Sequence, residues 1–486
     1  MSVPKLIGGI GEISFGKQFR QGNRIYDANE IAMCLMAQPV GNTGGYSYLY
    51  KIKENKGDRD MWKNNLEKFN FNMEELRIFD VFSGIGALHK SLKKLGVPTK
   101  ITNISEIDCD AIISYAGVHI ENFKDLEFEY PEEQEMRDFL INRNIGYSYE
   151  KGKSSIPRMK NDKLKLVYKA SILLNNLGDI SKINYKEIED FDLMNFSFSC
   201  TDLSNAGKQK GMRNEDGTLT RSGLYVYGIK AIREKMPKYI MIENVKGLIQ
   251  KKFLDDFYSI LDELGEVGYN CYYPIKEDKK GNKTPTCLNA KDFGIPQNRE
   301  RIYVICVRKD IDDNEFEFPI GKDCGIRLKD VLEDYVDNKY YLSPEIQCKI
   351  HNWKAYQRPF QNVLGKKSIS PTLTARGAGE YHSGMIIIGS NLENNTNLEK
   401  DYEITYDKTS DKELRFFKDN IEDEIKIRKL TPKECWRLMG FDDKDFDNAQ
   451  ALGVSDTQLY KQAGNSIVTN VLYYIFKNLF KEYIHN

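Results

Sequence analysis

At 486 residues, with 71 Lys and Arg against 72 Asp and Glu and a formal net charge of -1, the chain exceeds what one hydrophobic core usually supports and has no global basic field. Two or three domains are expected, and any basic face must be local. Nine cysteines, odd in number and never paired as C-x-x-C, give no sign of a disulfide framework or a structural zinc site. No apolar run of about 18 residues occurs, and the start MSVPKLIGGIGEISFGKQFR lacks a signal-peptide apolar core, so a soluble, cytoplasmic protein without membrane contact is expected.

In chain order, the strongest organisational signal is RIFDVFSGIGALHKSLKKLG at 77–96. It predicts a buried strand over 78–82, a Ser-Gly-Ile-Gly turn, and a helix with Leu88, Leu92 and Leu95 on one face and Gly96 as its stop. This is a βα unit opening a doubly wound sheet. Gly84 and Gly86 let the backbone turn tightly and approach a ligand with no Cβ in the way. Alone, such a turn equally suits helix packing. A second strand, KITNISE, ends in Glu106, about 20 residues on, where nucleotide-binding folds place an acid for ribose hydroxyls. Asp179, in LGDISKI, is a further candidate acid; without the turn upstream, either acid would read as a solvated strand end. Strands predicted over 191–198, 239–242 and 302–307 continue an alternating α/β pattern. The turn at 83–86, Cys200 in MNFSFSCTDLS and Glu243 in YIMIENV then converge at the carboxyl ends of the strands, where open α/β sheets bind ligands.

The ordered set FSGIG, FSCTDLS, ENV, QNRERIYVIC, RKLTPKECWRLMGF and QAGNSIVTNVL resembles the motif series of the bacterial-type cytosine-C5 DNA methyltransferases, in that family's order, over roughly residues 76 to 480. The resemblance implies an α/β fold: an S-adenosylmethionine-dependent methyltransferase (Rossmann-like) doubly wound sheet with a smaller, mostly irregular or β target-recognition domain. It divides the chain into an N-terminal extension (1–75), a catalytic domain (76–310) with an insertion near 118–172, a recognition domain (311–427) and C-terminal helices completing the catalytic domain (428–486). S-adenosylmethionine, leaving as S-adenosylhomocysteine, would lie against Phe82, Gly84 and Gly86, with Glu106 on its ribose, Asp179 on its adenine, and Leu224 and Asn465 closing the pocket. No metal is implied.

By the same resemblance Cys200 is the nucleophile. Cytosine C5 is a poor nucleophile, so a thiolate must first add to C6, giving an enamine whose C5 can accept a methyl group. Glu243 at ring N3 would share a proton with that adduct, which calls for a carboxyl pKa raised by partial burial. Arg299 and Arg301 would orient the base and the catalytic groups. The target must be flipped out of the duplex. An isolated cysteine would read as a buried core residue; the blocks around Cys200 favour the nucleophile. Ser199 and Thr201 stand where the family usually has Pro and Gln, which loosens the loop expected to close over the base. Ala87 replaces a frequent third glycine.

Between Glu106 and Asp179 lie 72 residues, more than one helix and its connections need. Residues 151–170 hold seven basic residues and one acid, read either as a solvated face or as a phosphate contact. The loop after Cys200, with Ser204, Lys208, Lys210 and Arg221, is expected to touch DNA phosphates and close over the substrate, a plain surface loop being the alternative. From 311 to 427 the α/β rhythm disappears. ISPTLTARGAGEYHSG (369–384) resembles the segment that closes the recognition region, with Thr372 and Thr374 as candidate backbone contacts. The polar tract 389–426 reads as a long hairpin or loop insertion. LTPKECWRLMGF predicts a capping box of Thr431 and Glu434 with Pro432 at the first helical position, in a supporting role. The last segment predicts a helix packing back beside the first βα unit and carrying Asn465 to the cofactor.

Residues 31–37 (IAMCLMA) align with 369–375 (ISPTLTA) at Ile, Leu and Ala, with Cys34 and Met36 replacing the two threonines. A structural remnant is favoured over an auxiliary DNA-contacting arm or coincidence. The partner implied is double-stranded DNA, with the protein a monomer and a cognate restriction endonuclease in the same system but not physically bound. Two other readings stay open, a tRNA cytosine-5 methyltransferase and a catalytically impaired DNA-binding homologue; a dinucleotide-dependent oxidoreductase ranks below them because FSGIG lacks the full G-x-G-x-x-G spacing. His89 and His382 receive no role.

Overall fold

The computed structural model describes residues 66–198, 222–343, 368–375 and 426–485, Ile346, and isolated strands at Leu6–Gly9, Arg24–Asp27, Leu49–Lys51, Val363–Leu364, Met385–Ile388, Glu403–Tyr406, Leu414–Lys418 and Ile421–Asp423. The chain divides into two units, Met1–Asp60 and Met61–Asn486. In the smaller, Arg24–Asp27 pairs antiparallel with Leu6–Gly9 and parallel with Leu49–Lys51; the repeat candidate at 31–37 lies outside the described residues. The division falls before residue 75 because Asn70–Phe71 pairs with Ile484–His485 and the Phe69 amide donates to Leu95 O, tying this stretch to the larger unit.

The larger unit is built on a seven-stranded sheet. In chain order its elements are β1 (Leu76–Val81), α1 (Ala87–Leu95), β2 (Thr99–Ser105), α2 (Cys109–His119), α3 (Glu133–Asn142), α4 (Asn161–Leu173), β3 (Leu193–Phe196), α5 (Tyr225–Lys235), β4 (Tyr239–Val245), α6 (Leu254–Val267), β5 (Tyr269–Tyr272), β6 (Leu288–Asn289) and β7 (Glu300–Arg308). The spatial order is β5-β7-β4-β3-β1-β2, with β6 on β7. β1 to β4 run parallel, as expected for a doubly wound sheet, whereas β7 is antiparallel to β4, β5 and β6. β5, a strand absent from the sequence reading, follows α6 directly at Gly268 (φ 120°) and runs in the same sense as β1 to β4, so β7, inserted between β5 and β4, is the reversed strand.

Strand alternation explains why both faces are covered. Ile78, Met241, Tyr303 and Ile305 enter one core with α1, α2 and the C-terminal helices; Phe79, Val81, Ile240, Ile242, Val304 and Cys306 enter the other with α5 and α6. The insertion is not a solvated appendage. Met136, Leu140, Ile145, Ile156, Leu164 and Val167 are buried in the first of these cores, and the basic stretch 151–170 supplies the apolar face of α4. The C-terminal block gives α7 (Pro432–Arg437), α8 (Asp443–Ala451), α9 (Asp456–Asn465) and α10 (Thr469–Leu479). The Thr431 capping box forms as predicted, and Glu434 also grips the buried Arg428 guanidinium at 2.7 Å. α10 packs beside α1. Within 311–427 the described residues form 3-10 turns and small sheets, Val363–Leu364 with Met385–Ile388 and Lys426–Lys429, and an antiparallel trio over 403–423 inside the polar tract.

Among the polar groups that the core encloses is a carboxyl on β1. Asp80 is fully buried and accepts hydrogen bonds from Asn195 Nδ2 (2.6 Å) and Tyr115 Oη (3.4 Å). Burial pushes its pKa from 3.8 up to about 7. Because folding raises this pKa, the native state binds the proton more tightly than the unfolded chain. The resulting stability is fully present below about 4 and is lost as pH rises to about 7. In thermal melts between about pH 4 and pH 8, Asp80→Asn should therefore lose the part of the decline in midpoint that the wild type shows on approaching pH 7; an unchanged pH profile would contradict this assignment.

Candidate active site

The βα turn is held by backbone geometry that few residues tolerate. Phe82 sits at φ 53°, a left-handed conformation costly for an aromatic residue, and its amide donates to Ser105 O at 2.9 Å. Gly84 follows at φ 55° with open space where a Cβ would stand, and its amide donates to Glu106 Oε2 at 2.9 Å. Glu106 Oε1 takes the amides of Ile107 and Asp108, both at 2.8 Å. Three of the roughly four acceptor positions of the carboxylate thus knit the turn to the end of β2, and one on Oε2 is left for a ligand hydroxyl. Gly86 serves a different purpose from the one expected. A Cβ there would stand 2.2 Å from His119 Nε2, so its bare backbone accommodates α2 rather than a ligand.

Phe82 and Glu106 line a cavity of about 900 Å³ together with Asp179, Leu224 and, from the insertion, Tyr147 to Lys163 in part; Gly84 and Gly86 are not among its lining residues. Asp179 is 4% exposed. Burial pulls its pKa up, but hydrogen bonds from Tyr149, Asn144 and Ser181 outweigh that and hold it below the usual range. Asn465 is exposed at the end of α9 and does not line this cavity; Gln458 and Lys461 of the same helix do. Asn465 lies four residues beyond Lys461, about 6 Å further along the helix axis, which carries it past the wall.

On the neighbouring strands, Glu243 in β4 and Arg301 in β7 pair at 3.1 Å (Nε to Oε1), with side chains 12% and 14% exposed. Burial raises the Glu243 pKa, and the Arg301 and Arg299 charges oppose it. Asn244, not singled out in the sequence, turns the other way: its Nδ2 donates to Phe198 O at 3.2 Å, fixing the chain two residues before Cys200. Cys200, Ser204, Lys208, Lys210 and Arg221 lie outside the described residues. Among the described cysteines, burial pushes Cys109 and Cys287 up to about 12 and Cys306 and Cys435 well above their usual value, so these thiols stay protonated and inert, as expected of core residues.

Arg299 departs from its expected role. It is 3% exposed, and its guanidinium donates to Leu373 O (2.9 Å), Gly464 O (3.0 Å) and Ser466 O (2.8 Å). Its charge acts on Glu243, and its hydrogen bonds tie the entry into β7 to two distant pieces of chain. Gln297, also missed, is fully buried and does the same for Leu438 O and the Leu373 amide. Thr372 Oγ1 donates to Asn298 O at 2.7 Å, so this hydroxyl is committed to the protein as a donor, while Thr374 is exposed. Among the described residues no group of His, Cys, Asp and Glu could hold a metal, and no helix is long and apolar enough to cross a membrane.

A parallel-stranded α/β sheet with a glycine turn, a ribose-competent acid and a buried Glu-Arg pair at the carboxyl ends of its strands is the architecture of a nucleotide-dependent transferase. Residues 140–481 match the C-5 cytosine-specific DNA methylase family. A type II methyltransferase of Lactococcus lactis subsp. cremoris is 36% identical over 412 residues, covering 84% of this chain and 99% of that protein. An orphan methyltransferase of Bacillus phage SPbeta is 28% identical over 513 residues, covering 85% and 99%. The S. pombe Dnmt2 methyltransferase structure shares the fold, with a TM-score of 0.50 at 19% identity over 84% of this chain and 99% of that one. The chain belongs to the C-5 cytosine-specific DNA methylase family, and it is a DNA cytosine-5 methyltransferase.

The two arginines should separate in solution. Arg299→Ala leaves three buried carbonyls, each costing about 1–3 kcal/mol if unsatisfied, so the urea midpoint should drop sharply. Arg301→Ala breaks a buried pair, which costs up to about 3–5 kcal/mol, but Glu243 can neutralise itself by taking up a proton, so the urea midpoint should recover on acidification where that of Arg299→Ala does not, and methyl transfer should fall on the order of 100-fold. A deficit in Arg301→Ala that does not shrink at lower pH would contradict this division of labour.

Proposed function

We propose that the enzyme transfers a methyl group from S-adenosylmethionine to C5 of a flipped-out cytosine in double-stranded DNA through a covalent adduct of Cys200. The observation that carries this reading is the buried Glu243-Arg301 pair two strands from the Phe82-Glu106 cavity, with Asn244 linking its strand to the segment that enters Cys200. The cavity fits the cofactor: Phe82 offers an aromatic wall, and Glu106, held in place by the Gly84 amide, a spare acceptor for a ribose hydroxyl. S-adenosylmethionine, when bound, supplies the methyl group.

The protein's own residues do the rest. The Cys200 thiolate attacks C6. Glu243, whose burial favours the protonated form, donates to ring N3 as negative charge develops there; once C5 carries the methyl group, loss of the C5 proton to water expels the Cys200 thiolate, and Glu243 recovers the proton from N3. Arg301 holds the carboxyl in place and limits how far its pKa rises. Lys208, Lys210 and Arg221 are assigned to the DNA backbone, together with Ser204 and Thr374. Modification of cytoplasmic DNA by a monomer is the setting proposed for it.

With duplex DNA carrying 5-fluorocytosine, the wild type should form a denaturation-resistant adduct and Cys200→Ala should form none, on gels and by mass spectrometry. Label transfer to duplex DNA exceeding transfer to tRNA is expected; the reverse would move the substrate to RNA. Removing the cation beside Glu243 raises its pKa further, so the alkaline limb of kcat/KM in Arg301→Ala should shift to higher pH. A shift to lower pH would exclude Glu243 as the proton donor.

A further inference from the structure

The insertion that lengthens the chain between Glu106 and Asp179 forms one wall of the cofactor cavity. Its hairpin, Tyr147–Ser148 against Lys153–Ser154, is anchored at the base by buried Ile156 and by the Gly146 amide on Ile107 O at 2.7 Å. The insertion also meets the Asp179 loop directly: the Asp179 amide donates to Arg143 O at 2.9 Å, and a Cβ on Gly178 would stand 2.1 Å from that oxygen. The base is therefore fixed. The tip is not comparably tied, and Tyr149, 46% exposed, leans from it into the cavity.

The Asp179 carboxylate is fully subscribed. Oδ1 accepts from Ser181 N (3.0 Å) and Ser181 Oγ (2.8 Å), and Oδ2 accepts from Asn144 Nδ2 (2.7 Å) and from the Tyr149 hydroxyl. A carboxylate has about four acceptor positions, so an incoming amino group needs one of these donors to leave. Ser181 is held by its own backbone two residues away. Asn144 is locked on its other side by Lys182 Nζ at 2.8 Å. Tyr149, in the turn that follows the two-residue strand Tyr147–Ser148 and 46% exposed, is the donor with the least to lose.

We infer that Tyr149 is a gate residue of the cofactor site: its hydroxyl occupies the place on Asp179 that the adenine amino group takes, and cofactor binding requires the hairpin tip to release it. The inference rests on the proposed placement of adenine at Asp179. It makes the affinity of this enzyme for its cofactor, and for the spent product, a property of the insertion as well as of the sheet.

Calorimetry with S-adenosylhomocysteine tests it without reference to turnover. Tyr149→Phe keeps the ring and removes the competing donor, so binding should tighten on the order of tenfold, the worth of one hydrogen bond to a charged group. Asp179→Asn should weaken binding at least as much, since one acceptor becomes a donor facing the adenine amino group. Weaker binding in Asp179→Asn with unchanged or weaker binding in Tyr149→Phe would overturn the gate alone. Unchanged binding in Asp179→Asn would overturn the adenine placement and the gate with it.

Discussion

The structure depends on one buried guanidinium. Arg299 sits just before β7 with its two terminal nitrogens on the carbonyls of Leu373, Gly464 and Ser466, and no water-facing alternative is open to it at 3% exposure. Those carbonyls belong to the segment closing the recognition region and to the end of α9. Gln297 adds Leu438 O and the Leu373 amide. A charge that deep must be satisfied, so the C-terminal helices and residues 368–375 have little freedom to sit elsewhere. Gly464 completes the fit, since a Cβ there would fall 2.2 Å from the Thr374 carbonyl carbon.

This tie also fixes the chemistry. In an extended segment residues two apart share a face, and a slip of one residue turns every side chain over. With Gln297 and Arg299 pinned inward, Arg301 is delivered to the same side, where β4 presents Glu243 two positions from Val245, the register partner of Arg301. The pairing that controls the Glu243 proton is thus set by hydrogen bonds to residues more than 70 positions away. The cavity follows the same logic on the parallel side of the sheet, where Glu106 binds the glycine turn to the end of β2, Asn176 accepts the Glu106 amide, and Ser105 Oγ donates to Gly178 O.

Much of this was legible where chemistry is local. The turn at 83–86, Gly96 as helix stop and the Thr431 capping box depend on residues within a few positions of one another, and each forms as read. What was not legible depends on partners far along the chain. Nothing near Arg299 announces carbonyls at 373, 464 and 466, so two arginines of one motif were given one role. Gly86 looks like a ligand-facing glycine until His119 is placed against it. The 72 residues ahead of Asp179 looked surplus by length, and only packing shows that they bury Met136, Leu140 and Leu164 and wall the cavity.

Ser199 and Thr201 gain meaning from the same long-range bonds. A proline before the nucleophile would fix one φ angle and so stiffen the approach to Cys200. Here the stiffness is supplied one step earlier and by side chains. Ser197 Oγ donates to Asn195 Oδ1 (3.0 Å), Asn195 Nδ2 to Asp80 Oδ1 (2.6 Å), and Tyr115 Oη completes the chain from the far side. From β4, Asn244 holds Phe198 O. A hydrogen-bonded path therefore runs from the core under the cofactor turn to the last described residue before the nucleophile, and each link is buried or partly buried, where such bonds are strongest. Serine in place of proline at 199 gives up a local constraint on φ, while the residues that lead up to it, 195–198, are held by these hydrogen bonds.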